Sequence, residues 1–581
     1  MMINQQKNKL ANNKKDSRFK KILFQLCLVI IASILFTLSF PNLLFKNGLP
    51  FLAWFAYVPV LLLIPKNSLL QCVGWGAVYG FITYLLFNYW LWAFHPFAGA
   101  FVYCLYLSYM IAVFFFMKLA DLFFPRRAYL VQWVIWLTYE YLRTKGFLGF
   151  PYGITGYSQW QVLPLIQIAG ITGVWGVSAL VTFPSFWLAE VLRHFYSEKN
   201  QSEAAKSQVE EPRRSIFFPL HSFCAFAVKK RFFTGAIIWA AVLTGTFVFG
   251  FFSLKDFSGY PAVQIALVQH NTHPWEASNA SSEWQKLEAY RKDLTILKRL
   301  SEEALLSNPK PVMIVWPETA FVPRIFWHTT YRKDQDMWLL VKELLDYLSL
   351  KDIPFLIGND DARMDPVKNP DEYDNFKVDY NAAILFENGK ITEIYRKQHL
   401  VPFTEHFPYA KQFPFIYRAL LKMDTHFWEK GEEATVFKTD DFSFSVPICF
   451  EDTFGYLVRN FVRRGADVLV NISNDAWSNS LPCQKQHLSM AVFRAVENYR
   501  PMVRSTVSGQ TCVIDPNGRV IMEAPAFKEA WLNAAVPLAK RDTIYTLLGD
   551  YLGIVYFLTA FIALLSAAIC YIIGKMKRGR Q

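Results

Sequence analysis

Charge is scarce in this sequence. Asp, Glu, Lys and Arg together make up 18% of the 581 residues, against about 25% in ordinary soluble domains. Hydrophobic residues reach 53% and aromatics 17%, which excludes an intrinsically disordered chain. No charged residue at all occurs in 22–45, 47–65, 67–117, 146–189, 232–254 or 551–574. A helix that crosses a bilayer needs about 20 mostly apolar residues, and one soluble core could not bury so many such runs. No Cys or His pair has metal-ligand spacing, so neither a metal nor a cofactor is expected. A Gly-rich phosphate loop and a Gly-x-Ser-x-Gly elbow are also missing.

The charge-free runs predict a multi-pass α-helical membrane domain with eight spans. Seven precede residue 254. They lie in 22–45, in 47–65, twice in 67–117 with a hinge at His95-Pro96, at 128–142 (which carries Glu140), at about 170–192, and in 232–254. The eighth is 551–574. Residues 22–40 could instead be a cleaved signal sequence, but Phe40-Pro41 is a poor cleavage site. Basic residues crowd the tail 1–21 (Lys7, Lys9, Lys14, Lys15, Arg18, Lys20, Lys21) and the tail 575–581 (Lys575, Lys577, Arg578, Arg580). Loop 190–231 ends Lys229-Lys230-Arg231, and Arg126-Arg127 falls on the same side. Basic residues favour the cytoplasmic face, so both termini are expected there, and an even number of spans fits. The net charge of +13 is then a topology signal and not a nucleic-acid face, and no nucleic-acid partner is expected. Three parts follow: a membrane domain, 1–254; an extracytoplasmic domain, 255–550, with net charge −5; and a last span with its tail, 551–581.

Within 255–550, short β-type runs alternate with amphipathic helices. Strands are predicted at 263–269, 311–316, 354–358, 381–386, 442–448, 467–472 and 511–514, and helices at 282–306, 333–350, 455–464 and 485–500. This pattern describes an α/β or α+β enzyme-like domain.

Three outer cysteines, Cys449, Cys483 and Cys512, make an odd number, so at least one thiol is unpaired within the chain. Cys449 ends the run 442–448 and precedes an amphipathic stretch. A thiol on such a turn, near the positive end of a helix, is expected to have a lowered pKa, although buried cysteines are more often structural. Glu318 stands at the mouth of another strand, in Trp316-Pro317-Glu318-Thr319, where a base could sit or a capping residue could. Lys397 leaves a third strand in Tyr395-Arg396-Lys397-Gln398-His399, where it could equally be a surface charge.

Together the Glu318, Lys397 and Cys449 motifs resemble the nitrilase superfamily, which works on carbon–nitrogen bonds and acyl groups with a Glu–Lys–Cys triad. Gln269-His270-Asn271-Thr272-His273-Pro274-Trp275, the block 397–405, Cys449-Phe450-Glu451, Ile472-Ser473-Asn474-Asp475-Ala476-Trp477 and Arg504-Ser505-Thr506 follow in family order. With spans on both sides, the chain looks like the apolipoprotein N-acyltransferase family. The resemblance implies an extracytoplasmic α-β-β-α sandwich in the inner membrane of a bacterium, with its catalytic domain periplasmic. It implies acyl transfer from a phospholipid to a diacylated apolipoprotein, by a monomer, through a Cys449 thioester. Glu318 is then the base, and Lys397 with the Phe450 N–H holds the oxyanion. Glu405 and Glu451 are supporting carboxylates, and Trp275 and Trp477 belong to the substrate pocket. Phe450 stands where the family often has Tyr, Ser508-Gly509-Gln510 departs from its commoner form, and loop 190–231 is longer. The stretch 405–415, aromatic and broken by Pro, is expected to be a lid at the membrane interface; a buried loop is the plainer alternative. A membrane-tethered amidase with the same triad, using water in place of the amine, is the rival reading.

Overall fold

The computed structural model of the protein describes residues 2–94, 96–207, 218–272, 282–369, 375–422 and 426–578. Among these, six helices are long and apolar enough to cross a membrane: Asp16–Ser39, Leu69–Phe87, Gly99–Phe123, Val174–Phe195, Phe233–Ser253 and Tyr551–Met576. Two of the eight expected spans take another form. In 47–65 the chain makes a 3-10 turn, Pro50–Trp54, and a short helix, Val58–Leu61, because Pro50 and Pro59 each fit only the first turn of a helix. The second, Ala128–Leu142, has 15 residues. His95 of the expected hinge lies outside the described residues, between the short helix Trp90–Phe94 and the helix Pro96–Phe123; the two long helices of this run are Leu69–Phe87 and Pro96–Phe123. These two pack closely because Gly76 and Gly80 carry no side chain. A Cβ on Gly76 would lie 2.6 Å from the Met110 carbonyl oxygen, and one on Gly80 2.7 Å from that of Tyr106. Small residues four apart permit such backbone approach between membrane helices.

Glu140 is the one acid among the expected spans, and it is fully buried. Its Oε1 accepts from the Thr155 N–H at 3.0 Å and from Trp136 Nε1 at 3.2 Å. Arg143 donates to the Tyr84 and Tyr106 hydroxyls and to the Tyr152 carbonyl. These bonds partly satisfy two buried charges, leaving Glu140 Oε2 and Arg143 Nε without hydrogen-bond partners among the described residues, and fix the turn 150–157.

Residues 262–537 form two six-stranded sheets. The strands are β1 (Ala262–Gln269), β2 (Met313–Val315), β3 (Phe355–Met364), β4 (Lys377–Glu387), β5 (Lys390–Arg396), β6 (Phe437–Lys438), β7 (Ser443–Ser445), β8 (Val468–Ser473), β9 (Met502–Thr506), β10 (Cys512–Ile514), β11 (Val520–Glu523) and β12 (Ala530–Pro537). The first sheet runs β12-β1-β2-β3-β4-β5 and the second β11-β10-β9-β8-β7-β6. In each, the inner pairs are parallel and the outer ones antiparallel. Side chains alternate across a strand. On β1, Ala266 and Val268 face the helices Glu283–Leu305 and Gln335–Ser349, while Ile265 and Leu267 join the core between the sheets. Ser505 ties the sheets together, donating to the carbonyls of Val268 and Val315.

The helix Leu481–Asn498 covers the other face of the second sheet, and every residue from Pro482 to Asn498 is buried. Membrane-domain segments enclose its far side. Gln486 Nε2 donates to the Pro41 carbonyl at 2.9 Å, and Trp90 Nε1 donates to Gln486 Oε1 at 3.1 Å. Arg494 reaches the Tyr157 hydroxyl, and Glu497 accepts from the Val174 N–H. The layers are therefore α-β-β-α, with one outer layer exposed and the other joined to the membrane helices.

Candidate active site

Glu318, Lys397 and Cys449 come from three strand ends. β2 is wholly buried and delivers Trp316-Pro317-Glu318. Gly358 on the adjacent β3 makes this exit possible, since a Cβ there would lie 2.2 Å from the Pro317 carbonyl oxygen and 2.7 Å from the Glu318 Cα. Lys397 directly follows β5, and its N–H donates to the Asn381 carbonyl on β4. Cys449 follows β7, after an isolated bridge between Ile448 and Ile472. It opens the 3-10 turn Cys449–Thr453 and has φ +51. A non-Gly residue in this region is uncommon, and such geometry clusters at functional sites. The Asn471 amide donates to the carbonyls of Pro447 (2.8 Å) and Cys449 (3.2 Å) and fixes the turn.

The fully buried Lys397 ammonium lies 3.1 Å from Glu318 Oε1 and 2.9 Å from Glu405 Oε1. Glu318 also accepts from Asn381 Nδ2 and from the Asn474 N–H, both at 2.8 Å. Glu405 Oε2 accepts from the Val401 N–H. Burial disfavours the ammonium, but Glu318 and Glu405 outweigh it and hold the Lys397 pKa well above that of an ordinary lysine. Burial also raises the Glu405 pKa, against the pull of Lys397.

The thiol reverses the expectation of a lowered pKa. Burial, and then the Glu318 carboxylate, push Cys449 well above an ordinary cysteine, and Lys397 only partly offsets them. The short 3-10 turn provides little of the helix field the sequence suggested. At neutral pH Cys449 is therefore a thiol, and it needs a base in order to react.

Glu451 braces the backbone around both turns. Its carboxylate accepts from the backbone N–H groups of Gln398 (2.7 Å), His399 (2.9 Å) and Ile448 (2.8 Å), and from the Tyr395 hydroxyl. It clamps the Lys397 turn to the Cys449 turn and makes no direct contact with Lys397. Burial raises its pKa to about 7.

Phe450 stacks on Tyr152 at 6.4 Å and packs on Phe150 at 6.2 Å, both in the membrane domain. Trp477 lies 5.8 Å from Trp90. Trp275 lies outside the described residues. The 405–415 stretch is irregular and ends at the helix Pro414–Leu421. Phe407 is buried, while Tyr409, Phe413 and Phe415 are exposed. Just before it, Phe403 packs on Phe101 and Phe147 of the membrane domain.

Several residues of the site were not singled out by sequence reasoning. They include Asn381, Asn471 and Tyr395; Asn471 interrupts the apolar run of β8 and Asn381 precedes the apolar end of β4, a mismatch that was the available signal, whereas Tyr395 on the polar strand β5 offered none. Below the Cys449 turn, His487 sits between Asp452 (2.6 Å) and Asp475 (3.2 Å), and Arg504 bonds Asp452. Burial disfavours the imidazolium, but Asp452 outweighs it, and the His487 pKa rises to about 9.

The family model for the apolipoprotein N-acyltransferase N-terminal domain matches residues 32–187, and that for carbon-nitrogen hydrolase matches 264–545. Apolipoprotein N-acyltransferase 1 of Treponema denticola is 40% identical over 96% of this chain and 98% of its own. This chain belongs to the apolipoprotein N-acyltransferase family. Apolipoprotein N-acyltransferase 1 of Treponema pallidum is 42% identical over 95% of this chain, and the apolipoprotein N-acyltransferase of Borreliella burgdorferi 28% over 90%. The family is one of acyltransferases built on a carbon-nitrogen hydrolase domain, and the six apolar helices mark a membrane protein.

Proposed function

We propose that Glu318, Lys397 and Cys449 transfer a fatty acyl group from a membrane phospholipid to the α-amine of an S-diacylglyceryl-cysteine at a lipoprotein's N-terminus. Glu318 takes the Cys449 proton, and the thiolate attacks an ester carbonyl of the lipid. Lys397 and the Phe450 N–H stabilise the oxyanion; a residue at the start of a helical turn has no intrahelical acceptor for its N–H. One such donor is worth about 3–4 kcal/mol. The ester C–O bond breaks, Glu318 returns its proton to the leaving alkoxide, and a lysophospholipid departs from the Cys449 thioester. The neutral amine then attacks the thioester. Glu318 takes the amine proton, the C–S bond breaks, and the proton goes back to Cys449. Glu405 holds Lys397, and Glu451 holds the two turns together. Trp477 lines the substrate pocket.

The observation that carries this reading is the position of the nucleophile against the membrane domain. Phe450 stacks on Phe150 and Tyr152, and Phe403 packs on Phe101 and Phe147, so a lipid ester can reach Cys449 without leaving the bilayer. The reading uses 1–254 as the membrane domain, 255–550 as the periplasmic catalytic domain and 551–581 as the final span with its tail, in a monomer of the inner membrane.

Two sets of contacts support eight crossings with both termini cytoplasmic. Lys118 bonds the Ile64 carbonyl, and Arg193 pairs with Asp121 at 2.9 Å, so residues 64, 121 and 193 share one membrane face. Gln486 bonds Pro41, Trp90 bonds Gln486, and Lys145 pairs with Asp550, so residues 41, 90 and 145 share the face of the sandwich. In this reading the stretches before 41 and after 193 add the remaining crossings to the five between these residues.

The test supplies acyl-labelled phospholipid and a diacylated lipopeptide to the purified protein. Cys449→Ala and Glu318→Gln are expected to abolish transfer to the amine. Near-normal transfer by Cys449→Ser would contradict the thioester step, and release of free fatty acid without amide would favour a hydrolase.

A further inference from the structure

A cavity of about 440 Å³ opens between the two domains, apart from the Cys449 site. Its size lies within the range of small-molecule sites, roughly 300–1,000 Å³. The membrane domain contributes Lys46 and Trp160, and the sandwich contributes Lys485, Gln510, Arg519 and Glu523. Three cations thus face one acid. Lys485 is buried and pairs with Glu523 at 2.7 Å, whereas Lys46 and Arg519 are exposed and neither makes a direct ion pair among the described residues. Lys485 and Leu481 belong to the first turns of the helix Leu481–Asn498, whose N-terminal end favours an anion.

The second observation is Gln510. It is fully buried, and neither its amide nitrogen nor its amide oxygen has a hydrogen-bond partner in the protein. A buried amide without partners is costly. A ligand that both accepts and donates hydrogen bonds would relieve it. Apolar side chains flank the cavity on both domains: Leu43, Leu44 and Phe45 directly precede Lys46, and Ile521 and Met522 directly precede Glu523, all exposed. An anion held between Lys46 and Arg519 would thus have lipid-facing apolar surface beside it.

We propose that this cavity binds the phosphate headgroup of a membrane phospholipid, at a site separate from the acyl-donor position at Cys449. The phosphate bridges Lys46 and Arg519 by charge-assisted bonds. A polar headgroup substituent such as a glycerol hydroxyl meets Gln510, and the acyl chains run down past 43–45. A basic pocket beside membrane helices is suited to headgroups. Because the Lys46 turn and the Arg519 loop belong to different domains, a bound lipid also bridges them. The proposal rests on the membrane orientation given above, but on no step of acyl transfer.

The test uses the full chain in detergent as Cys449→Ala, so that no acyl-enzyme forms. The probe is a phosphatidylglycerol with a photoreactive diazirine in its headgroup, followed by peptide mapping. Cross-links are expected on 43–47 and 518–526. They should fall at least about tenfold in Lys46→Gln/Arg519→Gln, whose two positions are exposed, and in Gln510→Leu, with circular dichroism confirming that each variant folds. Dioctanoyl phosphatidylglycerol should compete, and dioctanoylglycerol, which has no phosphate, should not. Equal competition by inorganic phosphate would overturn the lipid assignment in favour of a free anion. Cross-links confined to the Cys449 surroundings, or unchanged in the double variant, would overturn the site itself. Acyl transfer by the same variants with Cys449 restored is read separately, so failure of the headgroup site is distinguishable from failure of the acyltransferase reading.

Discussion

Two helices of the sandwich have opposite surroundings. Gln335–Ser349 buries Leu340, Val341, Leu344 and Leu348 against the first sheet and leaves Leu339 half exposed on the other side. Leu481–Asn498 buries every residue from Pro482 onward, including Gln486, His487, Arg494 and Glu497. The first is an ordinary amphipathic helix. The second has a sheet on one side and membrane-domain segments on the other, and Gln486, His487, Arg494 and Glu497 each find hydrogen-bond partners there. The chemistry divides along the same line. Glu318 and Lys397 come from the first sheet, and Cys449 with the Asn474 N–H comes from the second. The proposed base and the Lys397 ammonium thus come from the solvent-side half, and the proposed nucleophile comes from the half that is joined to the membrane domain.

This comparison can be broken most severely at Arg494. Its guanidinium bonds Thr453, Tyr157 and Glu497. Arg494→Met leaves the buried Glu497 without its cation, a change that costs roughly 3–5 kcal/mol. The expected outcome is a marked drop in the thermal unfolding midpoint in detergent, together with loss of folded protein from the membrane. An unchanged midpoint would mean that the joined layer is no more tightly built than the exposed one.

A second test lies in the pH dependence of stability. The folded state raises the His487 pKa from 6.5 to about 9, so it binds a proton that the unfolded chain releases. The stabilisation is fully present below about pH 6.5 and is lost as pH rises through about 9. The wild-type unfolding midpoint should fall over that window, and His487→Gln should remove that part of the slope. Parallel slopes in the two proteins would remove the charged Asp452–His487–Asp475 arrangement from the account.

The loop 403–415 bridges the two halves. If its exposed aromatics meet the interface, Phe413→Ser should lower transfer from vesicle phospholipid by about tenfold, equivalent to roughly 1.4 kcal/mol. The effect should be smaller with a detergent-soluble short-chain donor. Phe407→Ser, at a buried position, should lower both alike. Equal rates in wild type and Phe413→Ser would count against the lid. The smallest effect is expected on the solvent-side helix, where Leu339→Lys should shift stability by no more than about 0.5 kcal/mol, as read by the same thermal unfolding.

Legibility in the sequence follows the same division. The strand 262–269 and the helices 283–305 and 335–349 lie within two residues of their expected limits: the strand is a short apolar run, and each helix keeps one solvent face, so its period shows. β9 was missed because Arg504, Ser505 and Thr506 are polar yet fully buried, held by partners that only tertiary structure provides. The helix expected at 485–500 runs over Leu481–Asn498, and its burial on all sides was not foreseen, because Gln486, His487, Arg494 and Glu497 are polar residues whose partners only the tertiary structure supplies. Pro50 and Pro59 stood in plain view in 47–65, where the absence of charge masked their effect. Glu318, Lys397 and Cys449 stood out in the sequence as candidates because strand-end motifs carry them. The thiol's raised pKa was not legible, because burial and the Glu318 charge depend on the other sheet.

The central claim is a covalent acyl group on Cys449, and trapping it is the most direct measurement. Wild-type protein incubated with phospholipid and no acceptor, then digested and weighed, should carry one acyl mass on the peptide containing Cys449. Adding a diacylated lipopeptide should discharge that mass into the amide product, and Cys449→Ala should never acquire it. Amide formation at the normal rate with no acyl group ever found on Cys449 would contradict the account.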